Sequence, residues 1–189
     1  AVLKVCHDRK VPVVARGAGT GLSGGATPVV QGVVLSLAKF MRILEIDPVA
    51  RLARVQPGVR NLAISEAAAA HGLYYAPDPS SQIACTIGGN VAENAGGVHC
   101  LEYGLTLHNV LKLRVALMNG EVVEIGSHAL DCPGYDLLAL MIGSEGMLGV
   151  VLEATVKLTP KPRTAQVVMA SFDSVIDAGN AVAAIIAAG

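Results

Sequence analysis

Three separated stretches of the sequence are rich in glycine and in small neutral polar residues, the types that let a ligand contact the backbone directly. They read ARGAGTGLSGGATP at residues 15–28, CTIGGNVAENAGG at 85–97 and GSEGMLG at 143–149. Successive backbone N–H groups of such a loop can form a concave nest that binds an anion. The pattern therefore predicts recognition of a phosphate-bearing ligand that lies against the backbone over much of its length.

The first stretch also satisfies the spacing GxGxxG through Gly19, Gly21 and Gly24, which raises the alternative of a Rossmann dinucleotide site. That site needs a helix directly after the loop, but Pro28 and Gly32 occupy the positions where the helix should be. A P-loop fails because no Lys-Ser or Lys-Thr pair follows the glycines. For this loop alone, a glycine-rich turn without function stays open, and the other two loops argue against it.

Flavin adenine dinucleotide (FAD) has the long, flat shape that three such loops could hold. Asn, Thr and Ser side chains in the loops would supply neutral hydrogen bonds to its ribityl chain and ring edges. Glu145, in the third stretch, could accept a hydrogen bond from a hydroxyl group. The three loops together favour FAD as the ligand.

The elements that must position these loops mix helices with strands, which is typical of an α+β fold. Asn61 is predicted as the N-cap of one helix and Gly72 as its end. Residues 76–104 have no sustained period of 2 or 3.6, which indicates a functional loop region. The patterns predict helices at about 1–9 and 61–71, strands at 11–15, 32–38, 42–46 and 51–56, a hairpin at 109–126 with its turn at Asn119-Gly120, a helix from 137 capped by Asp136, and an alternating strand at 150–160.

The prolines of TPKP at 159–162 mark a predicted domain boundary. Beyond them, QVVMASF at 166–172 and a helical run with Asp173 as N-cap are interpreted as the first strand and helix of a separate unit. We therefore predict one domain over 1–160 and the start of a second over 161–189. The first helical pattern has no cap and the last one stops at Gly189 before its end, so the sequence is interpreted as a fragment of a longer chain.

Composition excludes two classes of partner and predicts a third. Charged residues make up 15% of the chain, with 14 basic and 15 acidic residues and no block of like charge, so nothing steers it toward nucleic acid or an anionic membrane. So small a fraction of charged residues predicts a surface that contacts other proteins.

The 4 cysteines form no CxxC pair and no signal peptide is visible, which favours a reducing, cytoplasmic compartment. The apolar run AVAAIIAAG at 181–189 is too short for a membrane span.

The motifs together resemble the FAD-binding (PCMH) domain of the vanillyl-alcohol-oxidase type. Among such domains the chain is most similar to the flavin subunit of glycolate oxidase (the GlcD type) and its D-lactate and D-2-hydroxyglutarate dehydrogenase relatives. This resemblance implies a two-subdomain FAD-binding domain followed by the start of a ferredoxin-like α/β cap domain. The runs that carry it are PVVARGAGTGLSGG, GLYYAPDPSSQIACTIGGNVAENAGGVHCLEYGLTLHNVLKL and GYDLLALMIGSEGMLGVVLEATVKLTP.

The resemblance also implies a set of cofactor-binding residues. The first loop would wrap the pyrophosphate of FAD, the second would run past the flavin ring, and the third would sit toward the ribose and adenine. Arg16 would be the only nearby fixed positive charge. The implied residues are Arg16, Gly17, Ala18, Gly19, Thr20, Gly21, Ser23, Gly24, Pro77, Asp78, Ser80, Ser81, Thr86, Gly88, Gly89, Asn90, Asn94, Ala95, Gly96, Gly97, Tyr103, Gly104, Glu145, Gly146, Gly149 and Val150.

The chemistry implied by the resemblance is the oxidation of a 2-hydroxy acid to a 2-keto acid by hydride transfer to FAD. Some relatives attach the flavin covalently through a histidine in the first loop. Here Thr20 stands at that position and no histidine lies between Arg16 and Gly32, so noncovalent FAD is expected. The substrate-binding residues and any metal would belong to the cap domain, so no catalytic residue is expected in this chain. The implied partners are a second flavin-domain subunit and an iron-sulfur subunit, through which the protein could lie at the inner membrane.

Several alternatives stay open at this point. Within the family, D-lactate or D-2-hydroxyglutarate could replace glycolate as substrate. A flavin-dependent transferase of the alkylglycerone-phosphate-synthase type uses the same fold without net redox change, and the chain alone could be a binding module that is inactive without its cap.

His99 is predicted to be a loop histidine tuned by hydrogen bonds, and His108 a structural residue that could also approach the flavin. Cys85 is predicted to be a small buried filler, and no zinc-like spacing occurs.

Overall fold

The computed structural model describes residues 1–128 and 134–189, so Cys132 lies outside the described residues. The chain combines helices with mostly antiparallel strands, as the α+β interpretation predicted. The helices are α1 (Val2–Asp8), α2 (Asn61–Ala68), α3 (Ile87–Glu93), α4 (Cys100–Tyr103), α5 (Thr106–Asn109), α6 (Leu137–Met141) and α7 (Val175–Ala188), with a 3-10 turn at Ala69–His71. The strands are β1 (Val13–Arg16), β2 (Val33–Ser36), β3 (Ile43–Asp47), β4 (Leu52–Val55), β5 (Leu73–Tyr74), β6 (Val110–Ala116), β7 (Val122–Gly126), β8 (Val150–Lys157) and β9 (Thr159–Pro160).

The first glycine-rich stretch connects two parallel strands, β1 and β2, with Val13 opposite Val33. A parallel connection must cross from one end of the pair to the other, and here an extended loop makes the crossing where a helix usually does. Leu3 of α1 packs with Leu37 in a small core beneath this pair. The loop is therefore held out at the carboxyl end of β1, without the helix that a Rossmann site requires.

The larger core lies on one face of an antiparallel sheet, which in the described residues has the strand order β3-β4-β8-β6-β7. Leu113 and Val115 of β6 and Ala154 and Val156 of β8 are fully buried there. The predicted hairpin is confirmed, with β6 and β7 paired from Lys112 to Ala116. This sheet forms the rigid base on which the second and third glycine-rich stretches rest.

The helix α2 corrects the prediction for Asn61. The N-cap position is Arg60, and Asn61 is the first residue of the helix, with only 1% of its surface exposed. Its side-chain Nδ2 donates to the carbonyl oxygen of Pro77 at 2.9 Å, and its Oδ1 accepts from Asn90 at 2.8 Å. Asn61 therefore ties the second glycine-rich stretch to the core. Gly72 ends the helical run with φ of 66°, as predicted.

The interpretation of 76–104 as a loop region is corrected in part, because the segment contains the two short helices α3 and α4. The helix α3 has the sequence IGGNVAE, and its two glycines are poor helix formers that hide the helical signal. Tertiary packing stabilises it instead, since Ile87 and Val91 lie four residues apart on one face and are buried in the main core.

The C-terminal segment corrects two further predictions. The run 166–172 forms no strand in the described part of the chain, and the side chains of Val167, Val168 and Met169 are almost fully exposed. The N-cap of α7 is Ser174, whose side chain accepts from the Ile176 N–H at 3.1 Å, and not Asp173. None of the described helices has both the length and the hydropathy needed to cross a membrane.

The N-cap predicted at Asp136 is confirmed, because its carboxylate accepts from the Ala139 N–H at 2.8 Å. We expect Asp136→Ala to lower the free energy of unfolding by about 1 kcal/mol, because one N–H at the start of α6 loses its acceptor. Urea unfolding followed by circular dichroism measures the change. Asp173→Ala is the matched control, because Asp173 is not a cap and should change stability by less than about 0.5 kcal/mol. Equal effects of the two changes would contradict the capping role.

Candidate functional site

A cavity of about 600 Å³ opens where the three glycine-rich stretches meet. Its wall joins the loop after β1, the helix α3 with the residues around it, and the loop before β8. The sequence-predicted residues that line it are Gly17, Ala18, Gly19, Thr20, Gly21, Ser23, Ser80, Ser81, Thr86, Gly88, Gly89, Asn90, Asn94, Ala95, Gly96, Glu145, Gly146, Gly149 and Val150. The fold thus brings most of the predicted site together around one space.

A smaller set of predicted residues lies outside the cavity wall. The guanidinium of Arg16 lies against Gly19, where a Cβ would be 2.9 Å from its Nη2. Gly24 turns the loop, since its carbonyl accepts from the Thr27 N–H. Pro77 is buried and its carbonyl oxygen is held by Asn61. These residues shape the loops behind the wall.

The remaining predicted residues outside the wall sit beside the second stretch. Asp78 binds His99, with Oδ2 at 2.6 Å from Nδ1, which confirms the prediction that hydrogen bonds fix this histidine. Gly97 packs directly on Asp78. Tyr103 packs edge-to-face on Tyr74, with ring centroids 6.1 Å apart. This group braces the end of the second stretch.

Gly104 and His108 also lie outside the wall. His108 accepts from the Leu105 N–H through Nδ1 at 3.0 Å, which is a structural role. Gly104 has φ of 76°, and a Cβ there would lie 2.7 Å from the His108 ring. In the described residues, no cluster of three or more His, Cys, Asp or Glu side chains is arranged to hold a metal ion.

The first loop approaches α3 so closely that side chains must be absent. A Cβ on Gly17 would overlap the hydroxyl oxygen of Thr86, and one on Gly21 would lie 2.5 Å from Oε1 of Glu93. Thr86 is 7% exposed, and its Oγ1 has no hydrogen-bond partner. A buried hydroxyl without a partner is costly, so this atom marks a position where a bound ligand would supply the missing hydrogen bond.

The two adjacent glycines of α3 have different roles. A Cβ on Gly88 would lie 2.7 Å from the Pro57 side chain and 3.1 Å from its carbonyl oxygen, so this glycine is needed for packing. A Cβ on Gly89 would meet only Thr86 Oγ1, at 3.5 Å. Gly89 therefore leaves space in the cavity that the fold itself does not need.

The asparagines of the second stretch already have protein partners. Asn90 is 4% exposed and donates to Asn61, while Asn94 is in the left-handed region with φ of 53°. The side chain of Asn94 accepts from the Leu107 N–H at 3.0 Å. These side chains hold the shape of the wall, so a ligand would form its neutral hydrogen bonds with backbone groups and hydroxyls.

The third loop is fastened to the end of α3 by backbone hydrogen bonds. The Gly143 N–H donates to Val91 at 2.8 Å, and the Glu145 N–H donates to Ala92 at 2.9 Å. Glu145 itself has φ of 56°, an unfavourable conformation for a residue with a side chain. The Glu145 side chain therefore lines the cavity, and the residue that carries it has a strained backbone conformation.

Glu93 is a cavity residue that sequence reasoning missed. Its Oε2 accepts from the Ser23 hydroxyl at 3.3 Å, which links α3 to the first loop. Partial loss of hydration, followed by the charge and hydrogen bonding of Glu93, raises the pKa of the exposed Glu145. The sequence did contain one indication of its role, because Glu93 is the only charged residue in the second glycine-rich stretch, CTIGGNVAENAGG.

The cavity wall in the described residues carries these two carboxyl groups and no cationic side chain. A phosphate bound here would have to be held by backbone N–H groups and hydroxyls. Cys85, which also lines the cavity, is 4% exposed, in agreement with its predicted role as a buried filler. The arrangement suits a long ligand with a small anionic part and several hydroxyl groups.

Comparison with known proteins identifies relatives of the whole chain. A family model described as "FAD binding domain" matches residues 1–126. Glycolate oxidase subunit GlcD of Escherichia coli is 69% identical over 189 residues, which cover 100% of this chain and 38% of that protein. D-lactate dehydrogenase of Archaeoglobus fulgidus is 42% identical over 183 residues, 96% of this chain and 41% of that protein. The chain thus spans about two fifths of the length of these relatives.

A solved structure described as alkyldihydroxyacetonephosphate synthase has the same fold. It matches with a TM-score of 0.77 over 86% of this chain and 30% of that chain, at 23% identity. At that identity the likeness concerns the fold alone.

Proposed function

Because the chain belongs to the FAD-binding-domain family, we propose that it is the FAD-binding part of a flavin-dependent enzyme that oxidises a 2-hydroxy acid to the 2-keto acid. The observation that carries the proposal is the single cavity formed by all three glycine-rich stretches. Its volume of about 600 Å³ is in the range of sites for small-molecule cofactors.

The residues present fit FAD. Gly89 keeps cavity space free of a side chain where a ligand would lie against the backbone, and Gly17 and Gly21 allow the first loop to approach α3. Thr86 offers a buried hydroxyl that lacks a partner. The absence of a cation from the described wall suits a cofactor whose only strongly charged part is one pyrophosphate, held by oriented N–H groups.

We assign roles to the three stretches on this basis. Backbone N–H groups of residues 17–21 hold the pyrophosphate, and Gly89 leaves space for the ring system. The third loop, with Glu145, lies toward the ribose and adenine. Bound FAD would supply the acceptor for the hydride that leaves the α-carbon of the substrate. The chain's own residues bind and orient the cofactor and exclude water from it.

The proposed substrate class, a 2-hydroxy acid, is supported by the names of the similar proteins. Glycolate and D-lactate, which appear in the names of the two proteins above, share the 2-hydroxy acid group. Residues 161–189 begin, in our proposal, a cap domain that supplies the substrate-binding residues. The Escherichia coli relative is named a subunit, which supports partner subunits for this protein as well. Our proposal includes a second flavin-domain subunit and an iron-sulfur subunit, and a cytoplasmic location at the inner membrane through them.

Anaerobic spectroscopy tests the proposed reaction on purified protein that includes the complete cap domain proposed above. Glycolate or D-lactate should bleach the visible band of the bound flavin, and the matching 2-keto acid should appear in equal amount. D-2-hydroxyglutarate is the third substrate to compare. A flavin band that none of these acids bleaches would contradict the oxidation and favour a transferase without net redox change.

FAD is expected to be noncovalently bound, because Thr20 replaces the histidine that could form a covalent bond and no histidine lies between Arg16 and Gly32. Acid precipitation of the flavin-loaded protein should therefore release all of the yellow colour into the supernatant. Absorbance of the supernatant and of the redissolved pellet measures the two fractions. Colour that stays with the pellet would contradict the prediction.

A further inference from the structure

Two carboxyl groups from different parts of the chain meet at the wall of the proposed FAD cavity. Glu93 ends α3, and Glu145 lies in the loop that is fastened to that end through the Glu145 N–H and Ala92 carbonyl. Glu93 also reaches the first loop, where it accepts from Ser23 and lies against Gly21. All three glycine-rich stretches therefore converge on this pair.

No cationic side chain in the described part of the chain forms an ion pair with Glu93 or Glu145. From the first loop the pair is faced by Ser23, by Gly21 and by Gly25, whose Cβ would lie 3.6 Å from Oε2 of Glu145. Arg16, the cation of that loop, lies against Gly19.

An independent observation marks the same cavity as a ligand site. Thr86, 7% exposed, points its unpartnered hydroxyl at the space beneath Gly17. An anionic pyrophosphate bound in this cavity would add negative charge near two carboxylates that have no cation. Two carboxylates close together cannot both stay ionised without cost, and one shared proton removes that cost.

We propose that Glu93 and Glu145 form a carboxyl pair that takes up one proton when FAD binds and then shares it. The inference rests on the proposed function, because it takes FAD as the ligand. The remaining oxygens of the pair can accept hydrogen bonds from ligand hydroxyl groups. Glu93 is thereby a ligand-binding residue that helps to determine where the uncharged part of the dinucleotide lies.

The sign of the pH dependence follows from the direction of the shift. Partial loss of hydration at the cavity wall, followed by the charge of Glu93, already raises the pKa of Glu145. FAD binding raises the affinity of the pair for its proton further. At low pH the pair holds the proton in both states and FAD affinity is highest. As the pH rises past the free-state pKa, affinity falls by up to about tenfold per pH unit until the bound pair also ionises.

The test is titration calorimetry of the wild-type protein with FAD between about pH 5 and about pH 8, in buffers of different ionisation enthalpy. We expect net uptake of up to one proton and a falling affinity over this range. Glu93→Gln and Glu145→Gln should each remove both the uptake and the pH dependence while still binding FAD. Glu66→Gln, which neutralises an exposed residue of α2, is the control and should behave as the wild type.

FAD binding with no proton uptake and constant affinity would overturn the carboxyl pair and leave the proposed FAD site intact. A pH dependence that survives in both glutamine variants would also overturn it, since another group would then titrate. Failure of the wild-type protein to bind FAD at any pH would overturn the proposed function, and this inference with it.

Discussion

The Gly89→Val variant is expected to bind FAD about 100-fold more weakly than the wild-type protein while keeping its stability. A Cβ at this position meets only Thr86 Oγ1, at 3.5 Å, so the apo fold can accept the new side chain. The two methyl groups would occupy cavity space that the cofactor needs. Overpacking costs about 1–3 kcal/mol, and the upper end of that range corresponds to about 100-fold in affinity.

Visible absorbance after FAD addition and desalting, together with titration calorimetry, measures the loss. Thermal unfolding by circular dichroism checks the fold, since the chain has no tryptophan to report on it. Gly88→Val is the matched control, because its Cβ would lie 2.7 Å from the Pro57 side chain and 3.1 Å from its carbonyl oxygen. That variant should lose stability by more than about 1 kcal/mol. Normal FAD binding by Gly89→Val would contradict the placement of the second stretch in the site.

Asn61→Ala is expected to lower the free energy of unfolding by about 2–4 kcal/mol, because it leaves two buried polar groups without partners. These groups are the Pro77 carbonyl oxygen and the Asn90 Nδ2, now held at 2.9 and 2.8 Å. The effect should extend to the cofactor, because Asn90 lines the cavity and its side chain loses its anchor. Urea unfolding followed by circular dichroism gives the stability, and calorimetry gives the FAD affinity.

The control for Asn61→Ala is Asn180→Ala, on the exposed surface of α7. That change removes an amide of the same kind from a solvated position and should alter stability by less than about 0.5 kcal/mol. Similar losses in the two variants would show that the buried amide network does not hold the loop. Full FAD affinity in a destabilised Asn61→Ala would separate the network's structural role from any role in the site.

Features that depend on local backbone chemistry could be predicted from the sequence. The hairpin at Asn119-Gly120, the cap at Asp136 and the helix end at Gly72 each rest on residues within a few positions of one another. The glycine-rich stretches identified the site for the same reason, because clusters of residues without side chains are visible in the sequence. The resemblance of three separated motifs then indicated the ligand.

Features that depend on distant neighbours could not be predicted in this way. Glycine hid the helical signal of α3, which burial of Ile87 and Val91 stabilises. Asn61 has the sequence signature of a cap, yet partners at positions 77 and 90 draw its side chain into the core. The apolar run 166–172 reads as a strand, but no described neighbour pairs with it.

The sequence by itself determined the α+β class, the three loops and the family of ligand, because turn chemistry, alternation and glycine content are local properties. Only the tertiary structure decided that Gly88 is needed for packing while Gly89 leaves space in the cavity, since adjacent glycines are equivalent until their Cβ positions meet different neighbours. It also decided that Glu93 and Glu145 lie together at the wall of a cavity that has no cation in its described lining. Contacts between residues about fifty positions apart depend on how the loops pack, which no local pattern records.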